Sequence, residues 1–320
     1  MIPSRTVQAP IPSGYGAETT AREVLRGRAL DGLTAVVTGG YAGVGLETTR
    51  ALVDAGASVV VAARTPDKAQ AAVAGLPRVV VEPLDLAVPA SVADFAARFV
   101  ASGRPLHILV NNAGIMATPF ARDARGFESQ LGTNHLGHFE LTLRLWPALQ
   151  KARGARVVAL SSRGHARASV DLEDPNFERR PYDKWIAYGQ SKTANALFAV
   201  ALDARGQGHG VRAFAVHPGA VVTELMRSMT EDEQRAALAR AREIGSMKTT
   251  EQGAATSVWC ATSEQLVGKG GVYCEDVDIA QPVPPDSPSA TGVRPWARDP
   301  ELAERLWESS EAWTSVRFAA

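Results

Sequence analysis

Thr34-Ala35-Val36-Val37-Thr38-Gly39-Gly40-Tyr41-Ala42-Gly43-Val44-Gly45 runs from an apolar strand straight into a glycine-rich turn, and a helix opens at its end. Such a turn lets backbone come close to a pyrophosphate. The first amides of the helix and its dipole then favour the negative charge. A glycine-rich turn alone is a weak signal, but after the first strand of a βαβ unit it is a strong one.

The pattern repeats outward from there. Strands are expected at residues 34–38, 58–63, 78–82, 107–111, 155–161 and 211–217. Helices are expected at 44–54, from Pro66, at 89–101, at 126–150 and through Tyr188. Continuous apolar strands separated by helices imply a parallel sheet covered on both faces. The expected fold class is α/β: a single-domain, Rossmann-type doubly wound parallel sheet in three layers. Residues 1–30, rich in Pro, Gly, Ser and Thr, read as an N-terminal arm with a short helical piece near Ala21. Residues 31–280 read as the dinucleotide-binding and catalytic domain. Residues 281–320 read as a C-terminal tail whose short helix packs on it, pinned by Trp296, Trp307 and Trp313. Three segments break the rhythm: the charged stretch 163–185, a polar helix within 226–248 flanked by methionines, and the proline-rich stretch 281–300. Long irregular segments in a compact domain are usually functional or disordered.

Composition narrows the function. The chain has 320 residues, 45% of them hydrophobic, enough for a sizeable core. Its 34 basic residues balance 34 acidic ones, which gives no pointer to nucleic acid or an anionic membrane. Two cysteines, Cys260 and Cys274, do not make a disulfide framework and suit a reducing compartment. No signal peptide is visible, and no stretch approaches the ~18 apolar residues of a membrane span. A cytoplasmic protein acting on a small molecule is expected.

The end of the second strand bears on the cofactor. An acidic residue there would accept from the ribose hydroxyl of NAD. The chain has Val61-Ala62-Ala63-Arg64 instead, and Arg64 offers a planar fork for a 2′-phosphate. NADP(H) is therefore the expected cofactor, with NAD(H) as the alternative.

Tyr188 and Lys192 lie four apart in Ile186-Ala187-Tyr188-Gly189-Gln190-Ser191-Lys192, on one face of a predicted helix. A free tyrosine titrates near pH ~10. A neighbouring cation favours the phenolate, so the pair has the form of a general acid and its tuner. On its own the motif is common on exposed helices; its weight comes from the motifs around it.

With those motifs the chain resembles the short-chain dehydrogenase/reductase family, over about residues 30 to 280. The spacing Thr38-Gly39-x-x-x-Gly43-x-Gly45 is similar to its single-domain branch. Asp85-Leu86 resembles the family's adenine contact, and Asn111-Asn112-Ala113-Gly114 its fourth-strand motif. Asn134 matches the asparagine of its catalytic tetrad. Ser162 matches the catalytic serine, with Ser161 as the alternative. Pro218-Gly219-Ala220-Val221-Val222-Thr223 matches the loop that holds the nicotinamide carboxamide. Within the family the branch of the retinol dehydrogenases and the WW-domain oxidoreductase looks closest. That likeness is carried by Asn134-His135-Leu136-Gly137-His138-Phe139, by Ser161-Ser162-x-x-His165 and by Leu302-Ala303-x-x-Leu306-Trp307. The 26 positions from Ser162 to Tyr188 exceed the family's usual spacing. The insertion they contain is the first place to look for substrate contacts.

The resemblance implies an enzyme that interconverts a carbonyl and an alcohol by hydride transfer, with Asn134, Ser162, Tyr188 and Lys192 as catalytic residues. It implies cofactor contacts from Gly39, Tyr41, Gly43, Val44, Gly45, Arg64, Asp85, Leu86, Asn112, Ala113, Gly114, Pro218, Gly219, Val221 and Thr223, besides Tyr188 and Lys192. It also implies a homodimer or homotetramer, paired through the helices that bear Asn134 and Tyr188. The alternative is a non-catalytic NADP(H)-binding regulator or a scaffold, against which the intact tetrad argues. No metal site is expected. His135 and His138, three apart, read as core or interface histidines, because no nearby Cys, Asp or Glu completes a ligand set. His165 reads as a loop-fixing or substrate-edge residue. Asp171, Glu173, Asp174 and Glu178 read as a solvated acidic loop. Phe177, Tyr182 and Trp185 are expected either to pack or to line the pocket.

Overall fold

The computed structural model describes residues 5–319. Its centre is an eight-stranded sheet: β1 (Thr34–Thr38), β2 (Ser58–Ala63), β3 (Val79–Pro83), β4 (Ile108–Asn111), β5 (Ala155–Leu160), β6 (Val211–Val216), β9 (Val272–Glu275) and β10 (Asp278–Ile279). The spatial order is β10-β9-β6-β5-β4-β1-β2-β3, and all neighbours are parallel except the β9–β10 hairpin. A separate two-stranded pair joins β7 (Ala220–Val221) to β8 (Met247–Lys248).

The strands are apolar on both sides because both sides are covered. Val36, Val60 and Leu109 face one core with Phe95, Phe99, Phe139 and Leu197. Ala35, Val37, Val59, Val61 and Val110 face the other with Leu52, Val258 and Trp259. The period of two along each strand thus feeds two helix layers, which makes the three-layer α/β/α sandwich. Strand order reverses between β4 and β1, and a crevice opens there at the carboxyl ends of the strands.

The helix expected across 126–150 is broken. A short turn Ser129–Leu131 passes into a π-helical turn, Gly132–Leu136, then into α-helices Gly137–Arg144 and Trp146–Lys151. The π turn carries one extra residue, a common device at functional sites. Pro147 accounts for the second break. It lacks an N–H and sits in the first turn of the last helix, where none is needed. Helix Thr250–Thr262, the β7–β8 pair and the β9–β10 edge that follows Gly270-Gly271 were not foreseen.

The helix bearing Tyr188 spans Lys184–Gly206 and starts on Asp183, whose carboxylate accepts from the amides of Trp185 (2.7 Å) and Ile186 (2.9 Å). Against it lies helix Pro300–Thr314. Trp307 stacks parallel on Phe198 and edge-on to Phe139, while the Arg205 guanidinium covers its outer face and pairs with Glu304. The C-terminal helix thus covers part of the helix bearing Tyr188 and touches the turn bearing Asn134. Among the described residues no helix is long and apolar enough to cross a membrane.

Candidate active site

Thr38, at the end of β1, organises the crevice. Its buried hydroxyl accepts from the amides of Asn112 (2.9 Å) and Ala113 (3.0 Å) beyond β4. With both lone pairs used, it donates to Nε2 of His138, 2.9 Å away. His138 Nδ1 in turn donates to the Asn134 carbonyl at 2.9 Å. That arrangement requires the neutral Nδ1–H tautomer. Burial favours the same form, holding the His138 pKa down at about 4. Sequence reasoning saw His138 as a core histidine; its bridging role between two halves of the site had no signal in the sequence.

Asn112 also donates from Nδ2 to the Thr38 carbonyl at 2.8 Å. Gly45 meets it there: a Cβ on Gly45 would collide with the Asn112 amide and the Gly39 carbonyl. The turn residues Gly39, Tyr41, Gly43 and Val44 line the crevice, as do Asp85, Leu86, Asn112, Ala113 and Gly114. Arg64 lines it too, exposed at the end of β2 and in none of the ion pairs among the described residues. Pro218, Gly219, Val221 and Thr223 form the opposite lip. There the Lys68 ammonium reaches across to Glu224 at 2.7 Å. Gly45 and Asn134 stand just behind the wall.

The tetrad residues converge at the inner end. Asn134, on the π turn, is clamped by its side chain. Oδ1 accepts from the Ile115 amide (2.9 Å), and Nδ2 donates to the Ile115 carbonyl (3.0 Å) and to Ser191 Oγ (2.9 Å). Lys192 donates from Nζ to the Leu160 carbonyl at 2.9 Å and stands 5.6 Å from the centre of the Tyr188 ring. Ser162 Oγ accepts from the Gly164 amide at 3.0 Å, which leaves its own hydrogen free for the pocket. Gly164 is held against the Tyr188 ring so closely that a Cβ would lie 2.8 Å from it. Ser161 is turned the other way and donates to the Lys192 carbonyl at 2.7 Å. The geometry therefore separates the two serines, and Ser162 is the one beside Tyr188.

The electrostatics differ from the simple expectation of a cation lowering a phenol. Burial pushes Tyr188 up to about 12, opposed only by the Ser162 hydroxyl. Burial also pushes Lys192 down to about 8. Loss of water dominates for both groups. In this state Tyr188 is a firmly protonated donor at neutral pH.

Beyond Tyr188 the crevice widens into a pocket; the whole cavity measures about 950 Å³. Much of the long insertion before Tyr188 does not reach it. Asp174 is buried and accepts from the amides of Glu178 (2.7 Å) and Arg179 (3.2 Å), which corrects its reading as solvated. Phe177 and Tyr182 pack edge to face on one another, and the Tyr182 hydroxyl bonds to Glu128, Gln130 and the Thr118 carbonyl. Only the ends of the stretch, residues 163–167 and Trp185, approach the cavity. The outer walls come instead from Leu225, Met226 and Met229, from helix Glu231–Glu243 and from Ser287–Arg294. His165 lies beneath the floor, bonded to the Ser162 carbonyl (2.8 Å) and the Tyr273 hydroxyl (3.1 Å).

Comparison with known proteins agrees with this architecture. The family described as short chain dehydrogenase matches residues 33–234. A probable oxidoreductase of Streptomyces antibioticus is 46% identical over 291 residues, 87% of this chain and 96% of the relative. Human retinol dehydrogenase 12 is 39% identical over 297 residues, 90% of this chain and 88% of the relative. Among solved structures, an uncharacterised protein of Mycobacterium paratuberculosis superposes with a TM-score of 0.74 at 34% identity, covering 95% of this chain and 100% of that one.

Proposed function

This chain belongs to the short-chain dehydrogenase family and is an NAD(P)-dependent oxidoreductase; from that premise we propose that it interconverts a carbonyl and a primary or secondary alcohol, with NADP(H) as the preferred cofactor. The observation that carries the reading is the shared cavity. One end has a phosphate-accommodating turn and Arg64, in no ion pair among the described residues; the other has Ser162 and Tyr188 side by side.

The residues present fit the cofactor. The turn has no side chain where Gly45 closes on Asn112, and the strand end offers a guanidinium rather than a carboxylate. When bound, the nicotinamide supplies or accepts the hydride. The Ser162 hydroxyl and the Tyr188 phenol then both donate to the substrate oxygen, and Tyr188 gives up its proton as negative charge develops there. Lys192 stabilises the phenolate left behind. Asn134 Oδ1 and Lys192 Nζ flank Gly114, and proton return to Tyr188 is assigned to that side.

A cytoplasmic location is supported by two buried, unpaired thiols, Cys260 and Cys274. A homodimer or homotetramer would have to be built on surfaces other than those covered by residues 300–314. The function is tested by following NADPH absorbance with a panel of aldehydes and ketones. Substrate-dependent loss is expected; a protein that binds NADPH yet oxidises it no faster with any carbonyl would overturn the reading.

A further inference from the structure

We propose that the pocket selects a carbonyl substrate that carries a carboxylate on an otherwise apolar body, and that Arg294 binds this carboxylate. The inference rests on the oxidoreductase reading above and specifies its substrate class.

Arg294 belongs to the segment that closes the pocket from the C-terminal side. It is only 6% exposed, yet it reaches the cavity wall. Its guanidinium makes one hydrogen bond, from Nη2 to the Ser287 carbonyl at 2.7 Å, and Nε is buried without a partner. Among the described residues it enters no ion pair. A buried cation with neither counter-charge nor full hydrogen bonding is costly, and structural arginines in such places are normally paired. Where the guanidinium lines the cavity, a ligand carboxylate would supply the missing counter-charge and accept from its terminal nitrogens.

The charges on the same wall lean the same way. Among the described residues the Arg163 guanidinium, beside Ser162, bonds only to Ser246 Oγ at 3.3 Å. The wall carboxylates Glu224 and Glu233 are already taken by Lys68 and Lys184. Glu275, behind Arg163, accepts from the Gly292 amide and is pushed up to about 7 by its burial, so it is a weak counter-ion at neutral pH. The net local charge open to a ligand is positive, while Leu225, Met226, Met229 and Trp185 provide the apolar part of the wall.

Position ties the acid site to the reaction. The Arg294 amide donates to His165 Nε2 at 3.2 Å, and His165 Nδ1 lies 2.8 Å from the Ser162 carbonyl. One imidazole therefore fixes the main chain at Arg294 and at Ser162, and both residues line the same cavity, so a single substrate molecule can meet both.

The test compares a medium-chain ω-oxo fatty acid with its methyl ester, using NADPH and the intact chain. The acid should have a kcat/KM roughly tenfold or more above the ester, the size expected for a charge-assisted pair that the ester leaves unmade. Arg294→Met should remove that preference through the acid alone, and Arg294→Lys should keep part of it. An ester turned over as well as the acid by the unsubstituted enzyme overturns the proposal. So does an Arg294→Met variant that slows both equally. If Arg294→Met does not fold, the comparison on the unsubstituted enzyme decides. If neither compound is reduced, the aldehyde and ketone panel decides the function reading separately. The acid site is then judged by thermal melting in the presence of NADPH: a shift with the acid and none with the ester upholds it, and equal shifts or none overturn it.

Discussion

The Thr38 hydroxyl lies 2.9 Å from Nε2 of His138, and through that contact the cofactor turn and the Asn134 turn become one hydrogen-bonded unit. Thr38→Val keeps the shape and deletes the hydroxyl. The Asn112 and Ala113 amides and His138 Nε2 would all lose a partner in a dry interior. The expected cost is about 2–4 kcal/mol of folding stability, with weaker NADPH binding. Urea unfolding and a cofactor titration measure both; a change within about 0.5 kcal/mol would refute the coupling.

Tyr188→Phe removes the proton donor and leaves the ring that packs on Gly164. Turnover should fall roughly 10²- to 10⁴-fold while NADPH affinity hardly moves. Residual activity close to that of the unsubstituted enzyme would assign the acid to another group.

The pH profile of carbonyl reduction should follow Lys192. Tyr188, at about 12, stays protonated throughout the neutral range, whereas Lys192 loses its charge above about 8. kcat/KM is therefore expected to be level below that point and to fall above it. Lys192→Met should lower the plateau and abolish the alkaline limb; a limb that persists in this variant would belong to a different residue.

Arg64→Asp exchanges a phosphate partner for a ribose-hydroxyl acceptor. The ratio of NADPH to NADH efficiency should swing toward NADH by roughly tenfold to a hundredfold, as for loss of a charged hydrogen bond. An unchanged ratio would mean that the 2′-phosphate is held elsewhere.

Acid should unfold the protein early. His135, His138 and His165 are held down at about 3, 4 and 4 by burial, against 6.5 when free. The unfolded chain therefore binds more protons between those values. Stability is full above pH 6.5 and is lost as pH falls toward 4. Each histidine accounts for roughly 1–2 kcal/mol between about pH 7 and 5. Burial pushes His217 well down too, so denaturation midpoints should drop across that range, and His135→Gln should remove about a quarter of the histidine contribution.

The sheet was legible because its strands are buried on both sides, so Val36, Val60 and Val110 sit in unbroken apolar runs. The order of motifs was equally plain, since Gly39, Asp85, Asn112, Ser162 and Pro218 each follow a strand end. The π turn was not legible: the weak helix formers Gly132, Thr133 and Asn134 do not by themselves mark one extra residue, and Gly137 just beyond packs closely on the Leu86 carbonyl. The Tyr188–Lys192 pair was visible as a pair, but the direction of its titration was not. That depends on burial by Gly164 and the pocket walls, which lie distant in sequence. Arg294 had no signal either, because the isolation of a charge is a property of everything around it.

Helix Pro300–Thr314 has a thermodynamic consequence. An apolar seam sealed by a second molecule weakens on dilution, because its closure is a bimolecular equilibrium. Here Trp307 is tethered to Phe139 and Phe198 by the polypeptide itself, so the seam closes at a fixed effective concentration. Dilution should therefore leave this seam closed, whatever association occurs elsewhere on the surface. Cutting the chain ahead of Pro300 would turn that seam into an adhesive strip, and the protein would then self-associate.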